Sequence, residues 1–264
     1  MRIKNKSYCF TLFILILVSM LYTNTSNLVY ANLPKLDLST INNYWNNRES
    51  ESVQKDIIQY LTNKPEIIED YETAWKTARL VYFIGNYGIG KSQFVDTKAG
   101  VELFNYGVMA AKMAISINPD KVEGYYWHAI DLGSWGLAKG VLASAIYAKD
   151  GMRSLEKAFS IDPMYHWCGS SRILGRYYQE LPGLFGGSND KARELFLKAT
   201  NSCGDYDNNW VYLGQFYNHM GEYKLALDAC NKALLMKNQD GKHEEIRYKD
   251  EAKACMIKAQ NKLS

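Results

Sequence analysis

Trp210-Val211-Tyr212-Leu213-Gly214-Gln215-Phe216-Tyr217 follows the pattern W-x2-L-G-x2-Y. Steps of three and four put Trp210, Leu213 and Tyr217 on one side of a helix. Gly221 then turns the chain. Ala226, Cys230 and Ala233 continue at helical spacing, with a cysteine where Phe is common and Asn238 where a closing Pro is usual. Gly214, Ala226 and Ala233 are small enough to let two antiparallel helices approach closely, and the larger residues fill the space between successive pairs. Such a pair cannot bury its apolar face alone and needs neighbours.

The neighbours precede it. Leu174-Gly175-x2-Tyr178 is followed by Ala192, Phe196 and Ala199, with extra residues in the turn. Ala158 with Pro163, and Ala114 with Pro119, end two earlier units. Trp75, Ala78 and Tyr82 begin the first, which has a long internal insertion. These are tetratricopeptide-like units. The expected fold is all-α: a stack of about four antiparallel helix pairs over residues 49–264, its open end capped by the lysine-rich helix Glu244–Leu263. The periodicity predicts helices over Glu49–Leu61, Glu66–Ile84, Thr97–Ile117, about 120–139, Leu142–Ser160, Cys168–Glu180, Ser188–Asn201, Asn208–His219 and Glu222–Met236. Asp120 with Glu123 has capping-box spacing.

The 264 residues are 47% apolar and 22% charged, a globular composition. The net charge of +3 comes from Arg2, Lys4 and Lys6; without them 28 basic residues balance 28 acidic ones. A globally basic nucleic-acid binder is therefore not expected. Residues 1–31 read as a secretory signal peptide: a basic start, an apolar run from Phe10 to Tyr22, and a cleavage site after Ala31. The alternative is an uncleaved N-terminal membrane anchor, the chain's one expected contact with a membrane. Cys9 precedes the apolar run, so lipid anchoring is not expected. Residues 32–48 are polar and irregular and are expected to be extended.

From about Tyr71 to Leu235 the chain resembles the T-component family of TRAP transporters. The resemblance is carried by Ala114, Asn118-Pro119-Asp120, Glu123, Tyr126-Trp127 and Leu132-Gly133-x-Trp135. It continues through Asp162-Pro163, Leu181-Pro182-Gly183-x2-Gly186-Gly187-Ser188 and Lys191-Ala192. A second, weaker resemblance is to the eukaryotic regulators of microtubule dynamics, which have a similar helical arrangement. The first resemblance implies an exported helical repeat protein that associates with a periplasmic substrate-binding protein of an uptake system, hydrophobic ligands being one class of cargo.

Several motifs invite chemistry. Gly85-Asn86-Tyr87-Gly88-Ile89-Gly90-Lys91-Ser92 matches the phosphate loop G-x4-G-K-S. Its surroundings are helical and no strand ending in a metal-binding Asp follows, so it is read as a connecting loop, with no nucleotide cofactor. The glycines of Leu181–Ser188 precede a helix start, where anions can bind; a tight turn capped by Ser188 is the simpler reading. His128, His166, His219 and His243 show no metal-ligand spacing. His166 and Cys168 allow a catalytic thiol, but no third orienting residue can be named. No catalytic constellation emerges, and the chain is read as non-enzymatic.

Tyr82, Tyr126 and Trp135 lie in the first helices of successive pairs, which usually line the concave face of such stacks. They are candidates for a groove that takes a partner or an apolar ligand, against the simpler reading of core packing. Cys168, Cys203, Cys230 and Cys255 allow three pairings. Antiparallel packing about the Leu181–Ser188 turn returns Cys203 close to Cys168. Cys230 and Cys255 sit on helices folding back around residues 238–242, with offsets that differ by several residues. Four buried free thiols are the alternative. The sequence supports an exported binding or adaptor protein with a protein partner; the alternative is a carrier of an apolar small molecule or lipid.

Overall fold

Asp37 accepts a hydrogen bond from the Thr40 N–H at 2.7 Å and starts helix α1, Leu38–Asn46. The structure, a computed structural model, describes residues 36–66, 69–94 and 97–264. The expected signal peptide of residues 1–31, with Cys9, lies outside the described residues. The expected extended segment is corrected from Leu38 onward. Leu38, Ile41 and Trp45 recur at helical spacing, and Ile41 is fully buried, so an N-cap and one apolar stripe suffice for a helix.

The other helices are α2 (Glu51–Thr62), α3 (Tyr71–Asn86), α4 (Lys98–Ile117), α5 (Val122–Lys139) and α6 (Val141–Ile161). They continue with α7 (Tyr165–Glu180), α8 (Asn189–Ser202), α9 (Asp207–His219), α10 (Tyr223–Leu235) and α11 (Lys242–Leu263). Among the described residues there is no β-strand, and no helix is long and apolar enough to cross a membrane. Pairs α3/α4, α5/α6, α7/α8 and α9/α10 stack in order, α1 packs on α3, and α11 packs on α10 and α9. Asp70, Thr97 and Ser188 cap α3, α4 and α8 through the N–H groups of Thr73, Gly100 and Lys191. Asp120 does not cap α5. Asn118 Oδ1 takes the Asp120 N–H and holds it in the preceding turn, Lys121 occupies the cap position, and Glu123 instead accepts the Tyr71 hydroxyl at 2.6 Å.

The last unit shows why small residues are needed. A methyl group at Gly214 would collide with Cys230 Sγ and crowd Cys255 Sγ. These two sulfurs form a disulfide with Cα atoms 6.2 Å apart, which leaves no room to yield.

The C-terminal helix does more than cover the end of the stack. Arg48 donates to the Asp240 carbonyl at 3.1 Å and pairs with Glu244 at 3.7 Å. Gln54 and His243 are hydrogen-bonded at 2.9 Å. The Tyr87 and Tyr248 hydroxyls meet at 3.1 Å. The start of α11 thus returns to α1–α3, and α3, α5, α7, α9 and α11 close into a ring around an inner face.

Two buried carboxyls make this stability depend on pH. Asp131 on α5 is fully buried beside Gly107, and neither oxygen has a hydrogen-bond partner among the described residues. Burial pushes its pKa well above the ordinary value. Burial likewise pushes Glu244 up to about 7, with Arg48 opposing. The folded state therefore binds protons that the unfolded chain releases at about pH 4. Each group's stabilising contribution is complete below that pH and is lost as pH rises toward the folded pKa. Asp131→Asn is expected to raise Tm at pH 7.5, and Glu244→Gln to flatten the fall in Tm between pH 5 and 7, both read from thermal melts across that range. Gly214→Ala should lower stability by about 1–3 kcal/mol in urea unfolding, the usual result of overpacking.

Candidate functional site

Three consecutive non-glycine residues at the start of α7 are left-handed: His166, Trp167 and Cys168, at φ 50°, 52° and 58°. Each costs about 1–2 kcal/mol in that region, so the surroundings must hold them. Cys168 is disulfide-bonded to Cys203, Cα atoms 5.9 Å apart. Trp167 stacks on Tyr206 with centroids 4.8 Å apart and planes 4° from parallel. His166 stacks on Tyr126 at 5.2 Å. The Trp167 carbonyl accepts from Arg172 at 3.1 Å and from Asn209 at 3.2 Å. Asn209 also donates to the Cys203 carbonyl at 2.8 Å and accepts from Arg172 at 2.7 Å.

This turn belongs to an aromatic and cationic inner face. Tyr82 packs against Trp127 at 5.9 Å and Tyr126 against the same ring at 5.1 Å. The hydroxyls of Tyr82, Tyr87, Tyr248 and Tyr206 follow one another at 3.3, 3.1 and 3.5 Å, and Tyr206 donates to the Asp240 carboxylate. Burial pushes the pKa of Tyr87, Tyr206 and Tyr248 well up and that of Tyr82 to about 12, so these hydroxyls keep their protons. Arg172 is 2% exposed. Its Nε has no partner among the described residues, and its hydrogen bonds go to the neutral oxygens of Trp167 and Asn209. Arg79 lies 3.7 Å from the Trp45 ring centroid and 4.8 Å from that of Trp75. Its Nε is also unpartnered, and burial lowers its pKa to about 10. Burial, then Arg172 and Arg79, depress His166 to about 3. The imidazole is neutral in the field of two cations, and among the described residues no carboxylate is bonded to either.

The structure brings Tyr82 and Tyr126 together but not Trp135. That ring lies farther along α5, edge-on to Tyr147 at 4.9 Å and under the Lys139 ammonium at 4.5 Å. It lines a separate cleft of about 350 Å³. Cys168 has no free thiol, and His166 Nδ1 sits 3.3 Å from the Tyr126 hydroxyl, so the thiol-enzyme reading lacks its nucleophile. The phosphate-loop match follows a helix, since Leu80–Ile84 lies in α3. Its Gly88 and Ile89 N–H groups bond to the Phe83 carbonyl and to Gln54 Oε1. In the Leu181–Ser188 turn, Gly186 and Gly187 N–H groups bond to the carbonyls of Gly183 and Pro182. Among the described residues no three His, Cys, Asp or Glu side chains gather as a metal site.

Sequence reasoning missed Arg79, Arg172, Tyr206 and Tyr248. Arg79 carried a signal, standing one helical turn before Tyr82 on the same face. Arg172 carried another, as a lone charge within the small-residue start of α7.

Fold and inner face define a tetratricopeptide-type helical scaffold. The chain belongs to the family described as Regulator of microtubule dynamics protein 1-3, which matches residues 38–184. Regulator of microtubule dynamics protein 2 from Homo sapiens is 26% identical over 204 residues, 72% of this chain and 48% of the relative. The Macaca fascicularis protein of the same name gives the same figures. The chain thus spans about half the length of these curated relatives. A thermophilic TPR protein from Thermus thermophilus shares the fold, with a TM-score of 0.53 at 18% identity, covering 78% of this chain and 90% of that one. The family shown is therefore the one behind the weaker of the two sequence resemblances.

Asn209→Ala removes the amide that clamps the left-handed turn. It should cost about 2–4 kcal/mol in urea unfolding, against under about 0.5 kcal/mol for exposed Asn231→Ala.

Proposed function

We propose that the chain is an exported, non-enzymatic adaptor that binds an acidic segment of a protein partner on its inner face. The observation that carries this reading is half-buried Arg79, whose Nε is unpartnered and which bonds no carboxylate among the described residues, with the buried cation Arg172 adding positive charge around neutral His166. Tyr82, Tyr165, His166 and Arg79 are only half-buried, so a partner can reach them. Cations stacked on aromatic rings and without a bonded carboxylate suit carboxylates presented by a peptide.

Export is supported by the leader-like residues 1–31 and by two disulfides, which persist in oxidising compartments. A periplasmic substrate-binding protein of a TRAP-type system is the partner class the first resemblance suggests. By name the curated relatives regulate microtubule dynamics, and a microtubule is the competing partner class. The disulfides weigh against it, because cytosolic thiols are kept reduced. A carrier of an apolar molecule or lipid would want a continuous dry lining, whereas this face presents arginines and tyrosine hydroxyls.

Titration with a fluorescent glutamate-rich peptide tests the reading. Saturable binding should weaken in high salt and fall about fivefold or more in Arg79→Gln with an unchanged thermal melt. Binding indifferent to salt and to Arg79 would count against it.

A further inference from the structure

A second site lies apart from the inner face, between α4, α5 and α6. The cleft there has a volume of about 350 Å³, within the range of small-molecule sites. Val108, Leu132 and Trp135 give it apolar walls. At its base His128 is only 6% exposed. Its Nδ1 is 2.8 Å from Ser154 Oγ, no group among the described residues partners its Nε2, and the ring lines the cleft. Lys112 stands at the rim with no carboxylate within ion-pair distance among the described residues. Arg153 stands there too, paired with Asp150 at 3.2 Å.

We infer that this cleft binds a small organic monoanion, a carboxylate carrying an aromatic or short aliphatic body. The charges decide the class. Lys112 and Arg153 against Asp150 leave one net positive charge, which matches a carboxylate and not a phosphomonoester dianion. Lys112 meets the anion at the rim, the open imidazole nitrogen of His128 supplies a hydrogen bond at the base, and the body lies on Trp135 and Leu132. With the Ser154 hydroxyl donating to Nδ1, the His128 Nε2 carries the proton and can donate it to a ligand oxygen in the cleft. The volume admits about ten heavy atoms, so affinity is modest.

Calorimetric titration of the full chain with phenylacetate tests the assignment, with acetate as charge without body and benzyl alcohol as body without charge. Phenylacetate should bind with a Kd on the order of 1 mM, and both controls at least about tenfold more weakly. Lys112→Gln, an exposed change, should weaken phenylacetate about fivefold with no change in Tm, and Asp150→Asn should strengthen it. The Trp135 indole N–H resonance should shift on titration. Absence of saturable binding at millimolar concentrations would overturn the assignment. So would binding that Lys112→Gln leaves unchanged, or benzyl alcohol binding as well as phenylacetate, which would make the cleft a merely apolar slot. Because Arg79 is not part of this cleft, Arg79→Gln should leave phenylacetate binding intact, which separates failure here from failure of the inner-face reading.

Discussion

The Arg48 guanidinium spans 192 residues of sequence to reach the Asp240 carbonyl, and the inner face depends on that reach. A helical-repeat stack is by default an open superhelix whose two ends never meet. Here Arg48 sits over the Trp45 ring at 4.1 Å and holds the start of α11 against α1–α3 through Asp240 and Glu244. Tyr87 and Tyr248 add a buried hydroxyl contact to the same seam. Closure turns a curved surface into an enclosed one. Enclosure lowers the local dielectric and makes each unspent arginine donor more consequential.

Enclosure also explains the strained turn. His166, Trp167 and Cys168 adopt left-handed backbone where glycine would be the usual solution, yet each side chain is engaged: one ring on Tyr126, one on Tyr206, one sulfur on Cys203. Glycines there would relax the backbone and lose all three contacts. The turn places the aromatic rings and the neutral imidazole on the inner face beside Arg172. The strain is local and its compensation is supplied by α5, α8 and α9, so the turn and the ring stand together.

Much of the fold was legible from residue spacing. Trp210, Leu213, Gly214 and Tyr217 with Ala226 and Ala233 dictate a helix pair, because only that arrangement buries the large residues while using the small ones for close approach. Pro119 and Pro163 mark unit ends for the same local reasons. The inner face was less legible. Tyr82 and Tyr126 could be assigned to first helices, but Trp135 could not be separated from them, since which face of α5 turns inward depends on how neighbouring pairs rotate. Closure by Arg48 is a long-range contact with no local signature. The helix at Leu38–Asn46 was hidden by its polar composition, because one cap and a stripe of three apolar residues fall below what periodicity reveals. Left-handed backbone at His166–Cys168 is set by tertiary contacts that no propensity encodes.

Ring closure is tested most directly by hydrogen–deuterium exchange of the intact chain and of Arg48→Gln. If the ring is closed through Arg48, the substitution accelerates exchange both at its own helix ends and across residues 238–250, while α4–α6 stay protected. Faster exchange confined to residues 45–52, with 238–250 unchanged, would show that the C-terminal helix is held by α9 and α10 alone and would contradict the account.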